Sequence, residues 1–262
     1  MTMMGSSPFL LIICKGLRGR ILMDLIYIII LVFGRCNEEK KIMIPKEPHP
    51  HHRFFKNFER VLNFTDCVFS FCITLMVLSL AVPVIAKSDV NAELATHLIN
   101  EWPTFLIYTI SFIIIGTWWM NHHQIFQHIY KADRVLLYLN LLFLFFITLI
   151  PFQTSLIIQY PESRVAVIFY ALTQAFAGVV FSALWYYATK DRRFSDPDLS
   201  QATVHYFIMR ELLISLVFLI SIGIALYNTH IAELSWIFIG ILIWWVGKRF
   251  YQEMLPVEDQ TE

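Results

Sequence analysis

Six long stretches of this chain carry almost no charge, and short polar segments separate them. They run from Val61 to about Ile85, Trp102 to Met120, Leu136 to Leu156, Val165 to Ala188, Tyr206 to Tyr227 and, more briefly, Ile231 to Val246. About 20 helical residues cross the hydrocarbon core of a bilayer, and a backbone in that core must satisfy its own hydrogen bonds. Runs of this length and apolarity therefore predict an all-α, polytopic membrane protein with six transmembrane helices. Composition agrees: 57% of residues are hydrophobic and 15% charged, against about 45–50% and ~25% in soluble domains.

The placement of Lys and Arg orients the spans. Lys40, Lys41, Lys46, Arg53, Lys56 and Arg60 precede the first span. Lys131 and Arg134 lie between the second and third, Lys190, Arg192, Arg193 and Arg210 around the connection of the fourth to the fifth, and Lys248 and Arg249 after the sixth. The opposite connections hold only Lys87 and Arg164. Basic residues stay on the cytoplasmic side, so both ends are expected there, in the plasma membrane of a cell. Three parts follow: an N-terminal extension over 1–52, a six-helix membrane domain over 53–250 and a cytoplasmic tail over 251–262. Within the extension, Phe9–Cys14 and Ile21–Phe33 are too short to span, and a crossing there would carry Lys15, Arg18 and Arg20 to the wrong side. Met43 is an alternative start for the functional protein.

Several function classes drop out. The formal net charge is zero, which leaves no basic excess for nucleic acid; the expected environment is membrane lipid. Cys14, Cys36, Cys67 and Cys72 form neither a disulfide framework nor a zinc pattern. His49-Pro50-His51-His52 lacks a second ligand cluster. Neither a phosphate-binding glycine loop, GxSxG, HExxH nor a carbonyl filter of the TVGYG kind occurs. The chain reads as a non-enzyme with no cofactor and no structural metal.

Asp66 stands out, because a carboxylate inside a span is costly toward lipid and marks protein or water contact. It lies about 9 Å along the helix from Arg60 and about 140° around from Phe71. Phe71, Leu75 and Leu78 share one helical face, with Thr74 at its border, while Asp66, Ser70, Ile73 and Val77 share another. The second span ends Trp118-Trp119-Met120-Asn121-His122-His123, at the same depth as Asp66. An imidazole or indole there could satisfy the acid, and Asn140 enters the third span from the same side. On these residues alone two readings stand: Asp66 anchors helix packing, or Asp66 and His122 form the relay of a proton- or solute-coupled transporter.

The series Arg60-x-x-x-Phe64-Thr65-Asp66, followed by Cys-Val-Phe-Ser-Phe-Cys-Ile-Thr-Leu, resembles the first span of the transmembrane protein 175 family, potassium channels of bacteria, archaea and animal lysosomes. The family motif is Arg-x-x-x-Phe-Ser-Asp, with Thr65 here at the serine. Ser111-Phe112, Trp118, His122-His123, Leu139-Asn140-Leu141-Leu142-Phe143 and Leu184-Trp185-Tyr186-Tyr187-Ala188 support the likeness. The resemblance implies a homotetramer, with the first span of each subunit lining one pore for the permeant potassium ion. It places the apolar constriction at Phe71, Leu75 and Leu78, with Thr74 beside it. It assigns Arg60, Phe64, Thr65 and Asp66, with Trp118, His122 and Asn140, to a network that holds span 1 in place. Phe71 departs from the family, which carries Ile or Leu there. The letters Phe194-Ser195-Asp196 repeat the motif in a polar loop and are read as coincidence.

Overall fold

The computed structural model describes residues 52–83, 85 and 90–254. The expectations for Met43, for His49-Pro50-His51 and for nearly all of the extension and much of the tail fall on residues outside it. Among the described residues the chain is helical, apart from one isolated β-bridge. In order, the helices are α1 (His52–Leu75, tightening into a 3-10 turn at Met76–Ser79), α2 (Val90–Asn100), α3 (Trp102–Phe126), α4 (Arg134–Thr148) and α5 (Ile150–Gln159). After these come α6 (Arg164–Thr189), α7 (Gln201–Ala225), α8 (Thr229–Ser235) and α9 (Ile237–Met254).

Five helical segments are long and apolar enough to cross a membrane: Phe58–Ser79, Trp102–Phe126, Arg134–Gln159, Arg164–Arg192 and Gln201–Ala225. The third is α4 and α5 together, joined at Leu149, whose backbone stays helical. The stretch expected to be a sixth single span, Ile231–Val246, is split between α8 and α9. The break sits at Trp236, whose indole N–H donates to Ser221 Oγ at 3.0 Å and whose ring stacks on Tyr170 at 5.0 Å. The Trp236 backbone itself stays in the right-handed helical region, as at Leu149, so a single residue separates the two helices. The first span also ends earlier than the sequence suggests. It closes at Ser79, where the Leu80 N–H bonds Val77 O at 3.1 Å and the backbone turns extended.

Helix starts are chemically marked. Asp133, Ser163, Ser200 and Asn228 each accept a backbone N–H from the first turn of α4, α6, α7 and α8. Such caps satisfy donors that the helix itself cannot. Pro103 sits in the opening turn of α3, where a missing N–H costs nothing, whereas Pro151 lies just past the join of α4 and α5, where it withholds an N–H from the preceding turn.

The bundle is organised around α6. Ala171, Ala175, Gly178 and Ser182 recur at helical spacing along it and are buried. Lipid is as apolar as leucine, so helices in a bilayer associate through close packing, which small residues permit. At Gly178 that packing leaves no room: an added Cβ would collide with Ser215 Oγ and lie 3.3 Å from Glu211 O on α7. Further along α6, Phe181, Leu184 and Trp185 join Phe69, Ile115, Trp118, Phe143 and Ile147 in the main core.

Two connections at the same end of the bundle clasp each other. Ile129 and Ser195 form the antiparallel bridge. The Tyr130 N–H donates to Phe194 O and the Asp196 N–H to His128 O, both at 3.0 Å. The second Phe-Ser-Asp series is thus a loop element that pairs with the connection between α3 and α4. Asp133 reinforces the junction, accepting from the Tyr187 hydroxyl at 2.6 Å with Arg193 3.7 Å away. Burial works against its charge, but Tyr187, the Leu136 N–H and Arg193 together hold its carboxyl below the usual range. At His128, burial pushes the imidazole below its ordinary 6.5, and Asp196 only partly offsets this.

Candidate functional site

The two faces of α1 differ in kind. Phe58, Thr65, Phe69, Cys72 and Met76 are buried against α3, α4 and α5. Arg60, Phe64, Cys67, Phe71, Thr74 and Leu78 form the opposite, outward face, at alternating spacings of four and three. Phe71 is 64% exposed and Leu78 75%. Leu75, expected on the same line, is half-buried at its flank. Four residues of α-helix carry Leu75 about 40° around from Phe71, toward the side where Cys72 is buried. The Thr74 hydroxyl donates back to Phe71 O at 2.9 Å.

This outward surface is unlike the outward middles of α6 and α7. Asn63, Asp66, Ser70 and Thr74 are exposed on α1 among the apolar residues. On α7 the outward middle is Leu212, Leu216, Leu219 and Ile220, and on α6 it is Phe176 and Val179. Polar groups of this kind inside a span call for protein or water beside them.

One turn of α3 fixes the rotation of α1. The Trp119 indole N–H donates to Asp66 Oδ1 at 2.9 Å. On the far flank, Asn140 Nδ2 of α4 donates to Thr65 Oγ1 at 2.9 Å, and His122 Nε2 lies 3.0 Å from Asn140 Oδ1. Thr65 and Asp66 are adjacent, so their side chains point about 100° apart. Both therefore end on the same α3 turn, one directly and one through Asn140. The His122 ring is stacked on Phe126 at 4.0 Å and parallel to Phe143, which leaves it 2% exposed.

The same turn reaches two more helices. The Trp118 indole N–H donates to Gln174 Oε1 of α6 at 3.0 Å, with its ring edge against Phe143 and Phe181. Asn121 Nδ2 lies 3.4 Å from Glu211 Oε1 of α7. Glu211 Oε1 also receives Arg210 Nε at 3.0 Å and a terminal Arg210 nitrogen at 2.7 Å. Both residues of this pair are buried inside a span.

The structure thus brings Thr65, His122 and Asn140 into one chain of contacts, and Asp66 into a second with Trp119. Asp66 and His122 are not hydrogen-bonded to each other. Trp118 faces α6 rather than α1. Arg60 and Phe64 are not joined to the network: both are exposed, and Arg60 makes no hydrogen bond or ion pair among the described residues. With Val61, Leu137, Asn140 and Leu141 they line a groove of about 410 Å³ between α1 and α4. Arg210, counted by sequence with the basic connection, lies buried in α7 instead. Sequence reasoning missed Trp119, Gln174 and Glu211 as partners. The signal was present for Glu211, a carboxylate five residues into the apolar run that opens at Tyr206. Among the described residues no group of three or more His, Cys, Asp or Glu is placed to hold a metal.

Comparison with known proteins bears on this arrangement. Residues 60–151, which carry α1, α3, α4 and the start of α5, match the family model described as endosomal/lysosomal potassium channel TMEM175. A potassium channel of Streptomyces collinus is 32% identical over 204 residues, covering 76% of this chain and 95% of the relative. A potassium channel of Chamaesiphon minutus is 38% identical over 137 residues, covering 51% of this chain and 67% of the relative. Among solved structures, a lysosomal potassium-selective channel TMEM175 homolog from Chamaesiphon minutus superposes with a TM-score of 0.60 at 27% identity. That match covers 74% of this chain and 98% of the other.

Proposed function

This chain is a prokaryotic member of the transmembrane protein 175 family, and from that premise we propose that it is a potassium-permeable, leak-type cation channel of the plasma membrane, built as a homotetramer. The outward face of α1 lines the pore, with Phe71, Leu75 and Leu78 as the apolar constriction and Thr74 beside them. One observation carries this assignment: α1 leaves Asn63, Asp66, Ser70 and Thr74 exposed between Phe64, Phe71 and Leu78 within a span. Such a surface suits neither lipid nor a dry core. It suits four helices facing one another across a water-filled path, narrowed where the side chains are bulkiest. Potassium is the ion because the relatives covering most of this chain are potassium channels.

The orientation follows the basic residues, with both ends of the chain cytoplasmic and the α8–α9 region completing a sixth crossing. The clasp between the α3–α4 and α6–α7 connections supports that order, because it needs both on one side. Thr65, Asp66, Trp119, His122 and Asn140 hold α1 so that its polar-apolar face points to the axis. Arg60 and Phe64 belong to the mouth of the pore at the cytoplasmic end. The transporter reading gains no support from Asp66 and His122, which have separate partners.

Purified protein in liposomes with potassium or sodium gradients tests the assignment, alongside the mass of the detergent-solubilised complex. Potassium flux from a complex of four chains is the expected result. Phe71→Ala and Leu75→Ala should raise flux and narrow the preference for potassium over sodium. Unchanged flux and selectivity in Phe71→Ala, Leu75→Ala and Leu78→Ala together would remove the constriction from α1.

A further inference from the structure

A buried ion pair stands on α7, far from the outward face of α1. Arg210 and Glu211 lie nine and ten residues beyond the start of the helix, about 15 Å along it. Neighbouring residues on a helix do not face each other, yet the Arg210 guanidinium folds back onto Glu211 Oε1. It is held there against the rings of Phe207 at 4.9 Å and Tyr206 at 5.5 Å. Glu211 Oε2 has no hydrogen-bond partner among the described residues. Burying two charges rarely stabilises a fold more than apolar residues of the same volume would, and the best-attested use of such a pair is to fix register.

What Glu211 fixes is visible in its third donor. Asn121 belongs to the α3 turn that grips α1 through Trp119 to Asp66 and through His122 and Asn140 to Thr65. Among the described residues, two hydrogen bonds tie that turn outward: Trp118 to Gln174 on α6 and Asn121 to Glu211 on α7. Arg210 in turn occupies the carboxylate from its own helix, which holds Oε1 where Asn121 meets it. A carboxylate oxygen already pinned by a guanidinium is a rigid acceptor, and the Asn121 amide meets it at the long end of the hydrogen-bond range, 3.4 Å.

We propose that Glu211 is a positioning residue for the pore helix, acting through Asn121 to set the rotation at which α1 presents its outward face. The proposal rests on the channel reading for its ionic consequence, but not for its structural one. Two native thiols report the structural one directly. Cys67 lies on the outward face of α1, and Cys72 is buried on the opposite side, about 140° around the helix. Rotation of α1 should bring Cys72 out.

The test uses the full chain in liposomes with Cys14→Ser and Cys36→Ser. Maleimide labelling of Cys72 relative to Cys67 is followed, with potassium and sodium flux. Glu211→Gln and Asn121→Leu should each raise relative Cys72 labelling about threefold, the change that one interhelical hydrogen bond in a membrane commands. Each should also shift the potassium-to-sodium ratio. The double variant should go no further than Asn121→Leu alone, because the two residues act in series. If Glu211→Gln does not fold, Asn121→Leu decides, since it leaves the Arg210–Glu211 pair whole. Wild-type labelling in an assembled Asn121→Leu variant overturns the proposal, even if its thermal stability is lower. A wild-type protein that passes no potassium defeats the channel reading instead, and the labelling still decides the role of Glu211.

Discussion

Thr65 shows what one hydroxyl contributes. It is fully buried, and its Oγ1 takes the Asn140 amide that also meets His122. Thr65→Val keeps the volume but leaves a buried N–H without an acceptor. Unsatisfied donors cost about 1–3 kcal/mol, whereas interhelical hydrogen bonds in membranes average ~0.6 and reach about 1.7. A loss of about 1 kcal/mol is therefore expected for Thr65→Val, read from unfolding in mixed micelles. Thr65→Ser should recover most of it, because the acceptor returns. Serine is the family residue at this position, so the departure at Thr65 leaves the contact intact.

At the scale of elements, the α6–α7 crossing is set by Gly178 and Ser215. Overpacking a tight contact costs about 1–3 kcal/mol. Gly178→Ala should destabilise by that order, and Ser215→Gly should relieve much of it, because the atom first met is Ser215 Oγ. A double-mutant cycle on thermal unfolding measures the coupling. The length and apolarity of the runs made five spans legible in the sequence, since membrane thickness leaves few alternatives. Termini were less legible where side chains rather than length decide them. The last apolar stretch is divided at Trp236, and the first span closes early in the 3-10 turn at Met76–Ser79. The site divides in the same way. Thr65, Asn140 and His122 share a depth that spacing reveals, and their meeting could be anticipated. Trp119 was hidden by its neighbour Trp118, since only packing tells which of two adjacent indoles turns to Asp66. Glu211 was hidden because its partner Arg210 looked like part of a basic loop.

Across the whole molecule, the clasp between the two connections should be pH-sensitive. His128 sits below its ordinary 6.5 because burial disfavours its charged form. The unfolded chain therefore takes up a proton before the folded one does, and this stabilisation is complete above about 6.5 and declines as pH falls through that value. Asp133, with its carboxyl held low, weakens the junction only in a more acidic window, below the ordinary carboxylate value of 3.8. Hydrogen-exchange protection of the Tyr130 and Asp196 amides should fall between neutrality and pH 5 after correction for intrinsic rates. His128→Gln should flatten that decline. Protection independent of pH in the native protein would show that His128 does not govern the clasp.

That clasp also bears on how the chain enters the bilayer. Ile129 and Ser195 can pair only after α4, α5 and α6 have gone out and come back. The backbone groups of the two loops remain unmatched until then. A nascent chain that left one of those crossings in the translocation machinery would hold its two loops on opposite sides, and the bridge could not close. The pairing of His128–Tyr130 with Phe194–Asp196 is thus compatible only with a topology in which both loops emerge on one side of the bilayer. It would register correct insertion after the fact, through structure rather than through the charge bias that directs it.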